Sequence, residues 1–190
     1  NKYFIKLIIK LRKITKSIYK SIINNFFLIF YGKIRLNNKS KTKSFYIKKN
    51  KIFSKKDYKY KIYELSNSRV YTDCIENVSI IQNNFLYPES SFQQINGKLA
   101  RPSSNQILRT GTPKYLKKID GNILILAQGA SGNNYSHWLL DILPKLKLAS
   151  LRYDINKIDY FYFSKLNSFQ LQILKLIGIN KKKFIDTEKN

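Results

Sequence analysis

The sequence holds one cysteine, one histidine and no methionine in 190 residues, and only 11 acidic side chains against 36 basic ones. Each scarcity excludes something. Cys74 alone closes no disulfide within the chain and builds no cysteine zinc cluster; a reducing compartment fits it. His137 alone rules out a histidine-rich metal site, and neither a metal nor another cofactor is expected. Within residues 1–31 no run of about 18 residues is free of charge, so this stretch is not expected to span a membrane. Asn24 and Asn25 break the one apolar stretch near the start, and no small-residue cleavage site follows, so the pattern is not that of a signal peptide. Gly129 and Gly132 do not complete a G-x-G-x-x-G fingerprint, which leaves dinucleotide binding without a signature.

What is abundant is positive charge, a net +25. One source would be selection for an anionic partner such as nucleic acid, acidic lipid or a phosphorylated sugar. The other is composition, because Lys, Asn and Ile dominate together, as an AT-rich genome writes them at tolerant surface positions. The lysines are scattered along the whole chain. No zinc-finger spacing, helix-turn-helix pattern or aromatic RNP strand accompanies them, so no specific nucleic-acid partner is expected.

The hydrophobic fraction of 43% predicts a folded chain with a real core. Residues 1–31 place Ile5, Ile8, Ile9, Leu11, Ile14, Ile18 and Ile22 at helical spacing with Lys and Arg between them: a basic amphipathic helix. Such a helix either lies on an acidic membrane surface, where each cation contributes about 1 kcal/mol, or packs on the rest of the protein. Residues 32–61 are rich in Lys and Ser with little periodicity and read as a linker. Residues 62–117 change to short β-type runs (RVYTD, NVSIIQ, NNFLY) separated by Asn-rich turns, so a small antiparallel β element is expected, with Pro102 and Pro113 barring a long helix.

Residues 118–190 alternate strand and helix. ILILA (Ile123–Ala127) has the continuous apolar character of a strand buried on both faces, and the glycine-containing loop QGASGNN follows it. A helix from Asn134 to Leu151, a strand ending in IDYFYF, a helix from Ser168 to Ile177 and a strand opening at Phe184 complete the series. This order predicts an α/β fold with a doubly wound, Rossmann-like parallel sheet.

On the helix after ILILA, Tyr135, Trp138, Leu139, Ile142, Leu143 and Leu146 form a packing face. His137, Asp141 and Lys145 recur every fourth residue along one polar stripe. The stripe begins just beyond the C-terminal end of a strand, where open α/β sheets bind ligands, and at a helix N-terminus whose N–H groups suit an anion. A carboxylate one turn from an imidazole fixes its tautomer, so His137 and Asp141 are the candidate catalytic pair. A packing or capping role for the same pair is the alternative.

The segment NYSHWLLDILPKLKL resembles the hallmark of glycosyltransferase family 61, a stretch close to N-Y-x-H-W-L-x-D-x-L-P-R-L. Asn134, Tyr135, His137, Trp138, Leu139, Asp141, Leu143, Pro144 and Leu146 match it, and Lys145 stands where the family usually has Arg. Downstream, Leu174, Leu176, Gly178 and Ile179 match a following segment, and the similarity spans roughly Val70 to Asp186. The resemblance implies an inverting transferase with a two-lobed architecture, moving a sugar from a nucleotide-activated donor to a glycan hydroxyl. Bacterial relatives serve capsule or lipopolysaccharide synthesis. It makes His137 and Asp141, which match family positions, the candidate catalytic residues, with Asn133, Asn134 and Lys145 beside them as candidate substrate contacts; the enzyme is expected in the cytoplasm, with residues 1–31 either touching the inner membrane or packing on the protein. Because the family's second lobe follows this segment, the chain is expected to be a fragment lacking most of the donor site and inactive by itself. The readings left beside it are a basic module for nucleic acid or acidic lipid, and a non-catalytic scaffold.

Overall fold

A computed structural model describes residues 2–37, 43–48, 59–73, 76–95, 97–128 and 134–186. Cys74, Asn133 and most of the QGASGNN loop lie outside these residues. Helix α1 (Lys2–Tyr31) is followed by strands β1 (Arg35–Leu36), β2 (Lys43–Lys48), β3 (Lys59–Glu64), β4 (Arg69–Thr72), β5 (Asn77–Gln82), β6 (Phe85–Leu86), β7 (Phe92–Ile95) and β8 (Lys98–Leu99). The short helix α2 (Ile107–Thr110) leads to β9 (Ile123–Ile125), helix α3 (residues 135–150), β10 (Tyr160–Phe163), helix α4 (Ser168–Leu176) and β11 (Phe184–Asp186).

Segment 32–61, which reads as a linker, contains β1, β2 and the start of β3. β2 and β3 pair antiparallel from Lys43–Glu64 to Lys48–Lys59. Their aromatic and β-branched residues (FYI against YKIY) supply the strand preference that the interspersed lysines conceal.

β4, β5, β6, β7 and β8 form an antiparallel sheet to which β1 adds in parallel beside β6. The β5–β6 connection is a two-residue turn in which Asn83 and Asn84 both have positive φ, 49° and 61°. That is the geometry a tight hairpin demands, and Asn tolerates it where a β-branched residue would not. β9, β10 and β11 form a separate parallel sheet in the order β11-β10-β9.

The parallel sheet is covered differently on its two faces. Leu126, Phe161 and Phe163 pack with Trp138 and Ile142 of α3 and Leu174 of α4. On the opposite face Ile125, Ala127 and Tyr162 pack on Val78 and Ile80 of β5. The reverse side of the antiparallel sheet carries a third cluster, with Ile34, Ile81, Leu86 and Ile107. β5 is therefore enclosed on both sides and is the central strand of the molecule. The fold is α/β, as expected, but the described strands run β9, β10, β11 without the reversal of order that defines a doubly wound sheet. Helices take one face and a second sheet takes the other.

Two local expectations change with this layering. β9 is half-buried throughout rather than enclosed, because it lies at a sheet edge. β10, the middle strand, alternates half-buried Tyr160 and Tyr162 with buried Phe161 and Phe163. The two phenylalanines anchor the helical side: the Trp138 and Phe163 rings lie 5.8 Å apart, and Phe184 meets Phe163 edge-on at 5.4 Å. Burying each such side chain contributes roughly 1.5–3 kcal/mol.

Candidate functional site

Helix α3 starts at Asn134, whose extended backbone lets its side chain turn back over the first turn. Asn134 Oδ1 accepts from the N–H of Ser136 at 2.9 Å and from that of His137 at 3.3 Å. The cap fixes where His137 begins its turn. It engages the N–H groups of Ser136 and His137 and the Oδ1 of Asn134.

The middle of α3 is wider than an α-helix. Trp138–Ile142 forms a π-helical turn, closed by the N–H of Leu143 donating to the carbonyl of Trp138. Its cause lies one residue on, because Pro144 has no N–H and its ring would crowd the carbonyl four residues back. Inserting a residue ahead of the proline relieves that crowding and lets the helix resume at Leu143–Ser150. Turns of this type are frequent at functional sites.

The predicted packing face is kept in all but one residue. Trp138 and Ile142 are buried at 1% exposure, and Leu139, Leu143 and Leu146 are half-buried against the same core. Tyr135 departs from the expectation: it is 55% exposed, with its ring 5.2 Å from that of Phe169. Trp138 Nε1 is buried without a hydrogen-bond partner among the described residues.

His137 and Asp141 meet as the spacing implies. His137 Nδ1 lies 2.7 Å from Asp141 Oδ2, and each side chain is about one-third exposed, open to a ligand. A carboxylate only accepts, so Nδ1 carries the proton and the lone pair sits on Nε2. Among the described residues nothing bonds Nε2. A base with an oriented, unengaged nitrogen can take a proton from a hydroxyl, and the neighbouring carboxylate stabilises the imidazolium that forms.

Lys145, next along the stripe, turns inward instead of toward a substrate. Its Nζ donates to the carbonyl of Ala127 at 3.4 Å and lies 5.2 Å from the centre of the Phe92 ring. Burial pushes the ammonium down from 10.5 to about 8, opposed in part by the charge of Asp141. The side chain thus clamps the end of β9 and the adjoining loop to β7. Two further residues at the strand ends carried no sequence signal: buried Ser164, just after β10, donates to the carbonyl of Gln128 at 3.3 Å, tying the outlets of β9 and β10 together. Phe92, at the start of β7, is the aromatic partner of Lys145. Among the described residues no group of three or more His, Cys, Asp or Glu side chains comes together.

Compared with known proteins, the chain matches no family model, no curated protein and no solved structure.

Proposed function

We propose that this chain belongs to an inverting glycosyltransferase that moves a sugar from a nucleotide-sugar donor to a glycan hydroxyl, in bacterial capsule or lipopolysaccharide synthesis at the cytoplasmic side of the membrane. The parallel β9–α3–β10–α4–β11 unit is then part of a Rossmann-like lobe. The observation that carries the reading is the His137–Asp141 pair, 2.7 Å apart and partly exposed, on the helix that follows parallel strand β9. The likeness of NYSHWLLDILP to the family 61 hallmark supports it from the sequence side.

In this reaction the acceptor O–H gives its proton to His137 Nε2 as the oxygen bonds to the anomeric carbon. The bond from that carbon to the diphosphate breaks, and its electron pair leaves on the phosphate oxygen. Asp141 keeps Nδ1 protonated throughout and so holds the imidazole in the reactive tautomer. Lys145 acts as a positioning residue, because its ammonium donates to the carbonyl of Ala127 at the β9 outlet.

The test uses the full-length protein, a panel of nucleotide sugars and glycan acceptors, and release of nucleoside diphosphate as the readout. His137→Ala and Asp141→Ala are each expected to lower transfer by about 100- to 10,000-fold, with unchanged circular dichroism. Full activity in both variants would remove the assignment.

A further inference from the structure

Among the described residues, helix α1 meets the rest of the molecule only near its C-terminal end. Phe27 is 6% exposed and packs edge-on against Tyr115 at 5.0 Å. Tyr31 Oη accepts from the N–H of Leu116 at 3.2 Å, and Leu28 lies against Gly111. Every residue from 3 to 22 is exposed. At about 100° per residue, Leu7, Leu11, Ile14, Ile18, Ile22 and Ile29 share one apolar stripe. Phe27 and Tyr31 fall on the other side of the helix, about 180° away. The docked residues therefore lie off this stripe, and Ile29 remains 83% exposed beside two docked neighbours. The stripe points away from the body along the whole helix.

We infer that α1 lies flat on an anionic lipid surface, with this stripe in the acyl boundary and its lysines on the headgroups. Charge selects that occupant. Residues 1–31 contain six lysines, one arginine and no acidic residue. Lys6, Lys13, Lys16 and Lys20 cluster on the side opposite the stripe, with Lys10 and Arg12 toward its borders. A basic face opposite an apolar stripe, here interrupted at Asn25, is the pattern of an interfacial helix. A second copy of the chain would bury the stripe only by bringing two such acid-free cationic helices together. Nucleic acid would engage the lysines but leave the stripe in water. Among the described residues no helix is long and apolar enough to cross a membrane, which leaves the surface orientation. The inference stands apart from the glycosyltransferase reading, since it uses no residue of the His137 site.

Vesicle co-sedimentation of the full chain tests it. Vesicles of phosphatidylcholine with about one-third phosphatidylglycerol should bind at least about tenfold more protein than phosphatidylcholine alone. The difference should shrink as salt rises from about 0.1 M to about 1 M, where screening shortens from about 10 Å to about 3 Å. Ile14→Asp with Ile18→Asp should abolish binding, and Lys13→Glu with Lys16→Glu should remove the preference for anionic vesicles. Circular dichroism of both variants reports whether the body stays folded. Equal binding to neutral and anionic vesicles, or none to either, overturns the inference. So does a dimer by light scattering that dissociates in the Ile14→Asp, Ile18→Asp variant while vesicles bind nothing. Binding to a DNA duplex as tight as to vesicles, and unchanged in that variant, would make the helix a nucleic-acid binder instead.

Discussion

Lys145 of α3 lies over the ring of Phe92 on β7, its Nζ 5.2 Å from the ring centre, and the contact joins the helical side of the molecule to the antiparallel sheet. The same ammonium is desolvated enough to lower its pKa to about 8 from 10.5. The sign of the linkage follows. Between these two values the unfolded chain holds the proton more tightly than the folded one, so this group makes stability rise with pH. Keeping the charge buried below pH 8 costs about 3 kcal/mol, at about 1.4 kcal/mol per pH unit. Wild type is therefore expected to gain stability relative to Lys145→Met as pH rises from about 8 to 10.5, with the gap constant below pH 7. Urea denaturation of both proteins across that range checks it, and the other titrating groups cancel in the difference. A gap independent of pH would mean that the lysine is not desolvated.

The His137–Asp141 pair makes a prediction independent of turnover. In wild type the proton sits on Nδ1, facing the carboxylate. Asp141→Asn replaces an obligate acceptor with a side chain that can donate, which favours the opposite tautomer and puts the proton on Nε2. Nitrogen chemical shifts of the ring should reverse between the two nitrogens at a pH where His137 is neutral. In the proposed reaction the same substitution lowers the rate without changing the fold, because the lone pair no longer faces the acceptor. Identical shifts in the two proteins would show that Asp141 does not govern the ring.

Much of the α/β part was legible in the sequence because its signals are local. ILILA, IDYFYF and the two helices between and after them are short, strongly patterned runs; Asn134 opens the first helix through its side chain, and Gly178 ends the second through its lack of one. Gly178, for instance, takes a φ of +78° past α4, where the N–H of Ile179 reaches back to the carbonyl of Leu174. The layering was not legible. Whether Ile125 and Tyr162 face a helix or a second sheet depends on pairing between segments some 45 to 80 residues apart, which no window of sequence displays. Nor could the pattern foretell that Lys145 turns inward, since a lysine at that spacing reads as a solvated polar stripe. The strands inside segment 32–61 were hidden for a related reason: alternating lysines lower the mean hydropathy while the backbone still pairs.

Beneath the antiparallel sheet, Asn105 holds a buried polar cluster that no local pattern singles out. Its Oδ1 accepts from Asn77 Nδ2 at 3.2 Å, Ser79 Oγ at 3.1 Å and the N–H of Ile107 at 3.0 Å, and its Nδ2 donates to Asn77 Oδ1 at 3.3 Å. Removing a hub strands several partners at once, and each orphaned buried group costs about 1–3 kcal/mol. Asn105→Ala is expected to lose about 3 kcal/mol or more. Asn105→Leu should not restore it, because volume was never what the site lacked. Equilibrium unfolding of the two variants decides; recovery in the leucine variant would show that packing, not hydrogen bonding, holds this corner.

Asn134 offers a way to separate the helix from its chemistry. Asn134→Ala removes the acceptor from the N–H groups of Ser136 and His137 and should cost about 1 kcal/mol, as cap losses do. Asn134→Ser or Asn134→Asp retains a capping oxygen and should recover most of it. The consequence for the site is larger than that energy suggests, because His137 lies in the capped turn while Asp141 lies in the π-helical turn beyond it. Fraying the first moves the imidazole relative to the carboxylate, so the 2.7 Å bond becomes intermittent. Faster amide exchange at Ser136 and His137 in Asn134→Ala, with exchange in α4 and β10 unchanged, is the expected result. If the alanine variant kept the His137–Asp141 hydrogen bond and its exchange protection intact, the π-helical turn alone would be positioning the pair.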